Sequence, residues 1–91
     1  MVRLDCRLRR RKGAVVTGRT VDVGTGGMRV STGRPLTTDE LLAFELELSG
    51  EPGITGQATV LREQGYGVYA LRFERLPRVA QDRLGALASA T

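Results

Sequence analysis

Asp22-Val23-Gly24-Thr25-Gly26-Gly27 closes one β-branched run, Val15 to Val23, and leads straight into another apolar alternation, Met28-Arg29-Val30. An acid at a strand end, a Gly-rich turn and an immediate return strand form a compact backbone cradle. Glycine there permits φ > 0 and lets a ligand approach the main chain closely. Successive backbone N–H groups in such a turn can bind an anion. The same residues also fit an ordinary hairpin turn, for which Gly-Gly is a common choice. The second chemical feature is a basic block. Arg3, Arg7, Arg9, Arg10, Arg11 and Lys12 face a single acid, Asp5, at the start of the chain, whereas Asp39 to Glu51 is acidic. Such a block suits phosphate, nucleic acid or a membrane surface. It also suits a charged edge strand that resists aggregation.

Other chemistries are poorly supplied. The chain has no histidine, which removes the commonest general base and metal ligand. Its one cysteine, Cys6, alternates with Leu4 and Leu8 and reads as a buried apolar residue. It has no partner for an internal disulfide, so a reducing cytoplasm is the expected location. Asp39-Glu40 and Glu45-Glu47 read as solvated faces, and no metal-ligand cluster is evident. An enzyme is therefore not expected, nor a metal or cofactor. Aromatic content of 4% gives little stacking surface for single-stranded nucleic acid. No apolar run is long enough to span a membrane, and no signal peptide is evident.

Ninety-one residues with a net charge of +4 make one domain, residues 1–91. Val2–Arg9 alternates apolar and charged residues, which is a strand with one buried face. Lys12-Gly13 is a turn. Along Ala14–Val23 either face could be the inner one: Val15, Thr17, Arg19, Val21 and Val23 lie on one, Val16, Gly18, Thr20 and Asp22 on the other. Met28–Thr32 is a third strand. Thr37 and Glu40 have capping-box spacing, which admits a helical turn or a helix running to Leu48. The two-residue period of Leu42, Phe44, Leu46 and Leu48 favours a strand instead. Ser49 to Gly53 is a turn cluster, and Gly56–Arg62 and Gly67–Glu74 form a hairpin around Gly65. Pro77 suits a first helical position. Leu76, Ala80, Leu84 and Leu87 then recur at helical spacing over Pro77–Ala88, with Ala88–Thr91 frayed. The pattern is mainly β and antiparallel, with one C-terminal helix.

The stretch Asp22–Gly27 resembles the Asp/Asn-x-Ser-x-x-Gly signature of PilZ domains, small bacterial β-barrels that bind cyclic di-GMP. Asp22 fills the acidic position, Gly27 the final glycine, and Gly24 stands where the family has serine. The order of strands, signature and closing helix is similar over nearly the whole chain. The resemblance implies a six-stranded antiparallel PilZ-like β-barrel with a C-terminal α-helix. It implies a cyclic di-GMP receptor that regulates a protein partner, with Arg7, Arg9, Arg10, Arg11, Asp22, Gly24 and Gly27 as candidate ligand residues. Family members carry an Arg-x-x-x-Arg motif just before the first barrel strand. Here the spacing occurs in Arg3–Arg7, within that strand, and in Arg7–Arg11, at its end, whereas the family frame places the motif upstream of Met1. Either the chain is trimmed from a longer protein or the arginine loop is lacking. The Arg9–Lys12 cluster could substitute for the motif by reaching over the barrel mouth. Two alternatives stand beside the receptor: a PilZ-like adaptor that binds no nucleotide, and a small basic barrel that binds nucleic acid.

Overall fold

The computed structural model describes residues 3–89, so Val2 and the final Ala90-Thr91 lie outside the described residues. Six strands close into an antiparallel barrel in the order β1-β2-β3-β6-β5-β4. They are β1 (Asp5–Arg9), β2 (Val15–Val23), β3 (Gly27–Thr32), β4 (Leu41–Leu48), β5 (Glu51–Gly65) and β6 (Val68–Phe73), followed by α1 (Arg78–Ser89). Period-2 alternation fills the interior. Cys6 and Leu8, Met28 and Val30, Leu42, Phe44 and Leu46, and Tyr69, Leu71 and Phe73 all point inward and are buried. Among the described residues, closure pairs every strand on both sides.

β5 is longer than its sequence suggests. It begins at Glu51 and includes Pro52, Gly53 and Gly65, so the turns shrink to Ser49-Gly50 and Tyr66-Gly67. Pro52 is tolerated because the β4–β5 ladder shifts register between Leu46 and Leu48, opposite it. Gly50 and Gly67 carry the left-handed φ that these tight reversals need (73° and 70°). The Thr37–Glu40 pair forms a turn and not a helix start. The Glu40 amide donates to the Thr37 carbonyl at 3.0 Å, the Thr37 amide donates to Glu40 Oε1 at 3.0 Å, and the chain enters β4 directly.

Each barrel mouth has its own plug. At one, α1 lays Ala80 and Leu84 against the core, preceded by Leu76. A Cβ on Gly56 would lie 2.4 Å from Leu76 Cδ2 and 2.9 Å from the Phe44 ring, so the missing side chain is what lets Leu76 enter. Arg83 pins the helix by donating to the carbonyls of Gly53 (3.2 Å) and Pro52. At the opposite mouth the 33–40 loop inserts Leu36. The loop is tied to β5 by Asp39 N–H to Val60 O and Val60 N–H to Glu40 O, at 2.8 and 2.9 Å.

Candidate functional site

The signature turn sits at the α1 mouth, and a β-bulge sets its geometry. β2 and β3 pair Thr20 with Val30, then Asp22 with Arg29, so one extra residue, Val21, is accommodated in β2. Val16, Gly18 and Thr20 face the barrel interior; after the bulge Val23 faces inward instead. Asp22 is thereby turned out to the surface, directly opposite Arg29. The guanidinium donates from Nε to Asp22 Oδ2 at 2.9 Å, and from Nη2 to the same oxygen. That bond holds the Asp22 carboxyl below the usual carboxylate range, against the opposing effect of partial burial. Arg29 is pushed up in return.

The glycines of the turn serve different ends. None of Gly24, Gly26 and Gly27 has a left-handed φ. Positive φ, expected from the sequence, is therefore not why they are there. Gly27 is a packing requirement: its Cβ would fall 2.2 Å from the Leu71 carbonyl oxygen on β6. Gly24 has room, since its Cβ would meet only the Gly27 carbonyl oxygen at 3.7 Å. Its N–H is already bonded to that oxygen at 2.8 Å, so it is not open to an anion. Thr25 lies against α1, where a Cβ on Gly85 would be 3.7 Å from Thr25 Cγ2.

The N-terminal arginines are not brought to this turn. Arg9, Arg10 and Arg11 lie at the β1–β2 hairpin, at the opposite mouth. Val15, which pairs with Arg9, is seven residues before Asp22 on β2, roughly 23 Å at the usual strand rise. Arg10 is also engaged, donating from Nε and Nη2 to Glu40 at 2.7 and 2.9 Å. This hydrogen-bonded pair holds Glu40 below the usual carboxylate range. Arg7 faces outward from mid-barrel and binds Glu47 at 2.6 Å and Glu45 at 3.5 Å. Cys6 is buried beneath this surface, and burial pushes its thiol up to about 12.

Other arginines stand at the signature mouth. Leu4 and Thr20 exchange bonds, Leu4 N–H to Thr20 Oγ1 at 2.8 Å and Thr20 N–H to Leu4 O at 2.9 Å. Arg3, the residue before Leu4, is exposed. On the other side Gly27 pairs with Arg72 of β6, whose exposed guanidinium touches Glu74 at 3.3 Å. Arg29 is legible as an outward residue from the Met28-Arg29-Val30 alternation. Arg72 is not, because the β3–β6 pairing joins strands far apart in sequence.

The sequence model of the PilZ domain matches residues 1–90. The fold is similar to that of the crystal structure of the PilZ domain of CeSA from a cellulose-synthesizing bacterium. The two superpose with a TM-score of 0.71 at 21% identity, over 91% of this chain and 86% of that one. No curated protein sequence matches the chain. Among the described residues no helix is long and apolar enough to cross a membrane.

Proposed function

Because the chain belongs to the PilZ domain family, we propose that the Asp22–Gly27 end of its barrel is the floor of a cyclic di-GMP site and that the domain is a receptor module for that nucleotide. The observation that carries this reading is the bulge at Val21, which presents the Asp22 carboxylate at the surface opposite Arg29. Both Arg29 bonds go to Oδ2, so Oδ1 keeps lone pairs for the N1–H and exocyclic amine of a guanine. Arg3, Arg29 and Arg72 supply guanidinium groups at that mouth. The guanidinium fork matches a phosphate in two-point contact, and reads guanine O6 and N7 in the same manner. Gly24 leaves out one hydroxyl, which weakens the site without removing it. PilZ domains are binding and regulatory modules, so the consequence of occupancy is a surface that docks or releases a protein.

Calorimetric titration with cyclic di-GMP at physiological salt tests the proposal. Native chain should give heat, and Asp22→Ala and Arg29→Ala should each weaken binding. Both residues are exposed and their ion pair contributes little to folding, so the variants stay folded. The adaptor reading draws support from the basic hairpin, which stands far from Asp22. Absence of heat and of any thermal shift with native chain would overturn the receptor reading in favour of the adaptor.

A further inference from the structure

The outer face of β1, β4 and β5 carries a groove away from the signature turn. Two adjoining hollows of about 440 and 750 Å³ share Arg9, Ala43 and Gln57 and run on to the 33–40 loop. The groove's apolar content is set by strand register. Val15, Arg9, Ala43 and Gln57 lie side by side in one row across β2, β1, β4 and β5, with Leu41 next along β4. Val15 is 49% exposed and Leu41 47%, so two aliphatic side chains stand open beside Arg9.

The charges are unequally satisfied. Arg7 and Arg10 are held by Glu47 and Glu40. Arg9 and Arg11, which line the groove, have no ion pair among the described residues. Two uncompensated guanidiniums therefore flank an apolar floor. Glu45, Asp39 and Glu40 also border the hollows. Glu45 and Glu40 are already paired with Arg7 and Arg10, so the positive charge open to a ligand is confined to Arg9 and Arg11, too short a stretch to track a continuous phosphate backbone. The one aromatic ring lining the hollows, Phe44, is buried and offers no face for base stacking.

We propose that this groove docks a short segment of a partner protein, an aliphatic side chain flanked by Asp or Glu. The aliphatic group covers Val15, Ala43 and Leu41, and the carboxylates meet Arg9 and Arg11 in charge-assisted bonds. The footprint is smaller than a standard protein interface, so the contact is weak and transient. It lies on a different part of the barrel from Asp22, so it needs no nucleotide.

The test is a displayed random-peptide library selected on the whole chain, with Leu41→Glu as counter-target. Enriched peptides should share the acid–aliphatic–acid pattern. The most enriched one, titrated onto isotopically labelled chain, should shift the amides of Arg9, Val15, Leu41 and Ala43 and leave Asp22 to Gly27 unmoved. Arg9→Glu with Arg11→Glu should weaken it by roughly tenfold or more. Leu41→Gln, which adds no charge, should also weaken it, and circular dichroism checks that each variant is folded. Three results would overturn the proposal. One is enrichment no greater on native chain than on Leu41→Glu, or shifts that map elsewhere. Another is binding of duplex DNA or phosphatidylglycerol vesicles that needs Arg9 and Arg11, with no peptide enriched. The third is a concentration-dependent dimer abolished by Leu41→Glu, which would make a second copy the occupant.

Discussion

Gly24→Ser restores the hydroxyl that the signature has in the rest of the family, and the structure has room for it. A Cβ at Gly24 meets nothing closer than the Gly27 carbonyl oxygen at 3.7 Å, an ordinary van der Waals contact, and the local φ is not left-handed. Serine keeps the N–H that bonds to Gly27 O. The substitution should therefore fold, and a slightly less flexible unfolded chain should leave stability equal or higher. One added hydrogen bond to the ligand is worth about 0.5–1.5 kcal/mol, which is roughly three- to tenfold in affinity for cyclic di-GMP. Gly24→Ala is the control, since it adds the Cβ without the hydroxyl and should bind like native chain. Calorimetry on the three proteins at one salt concentration reads the comparison. If Gly24→Ser and Gly24→Ala are both folded and bind equally, the nucleotide does not sit over Gly24 and the assigned floor is wrong.

Gly27→Ala forces a Cβ to 2.2 Å from the Leu71 carbonyl and should destabilise by about 1–3 kcal/mol, read as a lower urea midpoint with an unchanged m-value. Arg10→Gln should change the acid limb of stability. Glu40 is held low by Arg10, so the folded chain binds fewer protons than the unfolded chain as pH falls through the ordinary carboxylate range. The native pair's contribution is thus complete above that range and lost below it. The Tm gap between native chain and Arg10→Gln should be widest near neutrality and narrow toward pH 3. Cys6, with its thiol near 12 and its side chain buried, should resist maleimide at pH 8 in the folded protein and react promptly in urea.

Where one face of a strand is apolar and the other charged, the fold is readable from the sequence. Cys6 and Leu8 in β1, and Leu42, Phe44 and Leu46 in β4, name their inner faces without help. The reading fails where breakers occur inside a strand. Pro52 and Gly53 look like a turn, yet Pro52 faces a register shift and Gly53 is pressed close to the Leu46 carbonyl, where only a small residue fits. The end of the barrel occupied by the arginines is readable from strand count. A single strand separates Arg11 from Asp22, so an antiparallel ladder must put them at opposite mouths. Arg72 is different, because its nearness to Gly27 follows from a β3–β6 pairing that no local pattern encodes.

The bulge is the step on which the site depends, and its cause is energetic. In unbroken alternation Asp22 would share a face with Val16, Gly18 and Thr20 and point into the barrel, while Val23 would point to solvent. A carboxylate among Leu8, Val30 and Leu84 would lose its hydration with no cation beside it, a penalty of several kcal/mol. Accommodating one extra residue exchanges that arrangement for a buried Val23 and an Asp22 paired with Arg29 at the surface. The disrupted ladder at Val21 is a small cost beside it, since Val21 remains half-buried on the outside. An acid in phase with the inner face at the end of a strand, followed by an apolar residue out of phase, is therefore a readable signal for a bulge. Here the same signal identifies Asp22, the residue that the proposed cyclic di-GMP site would present to its ligand.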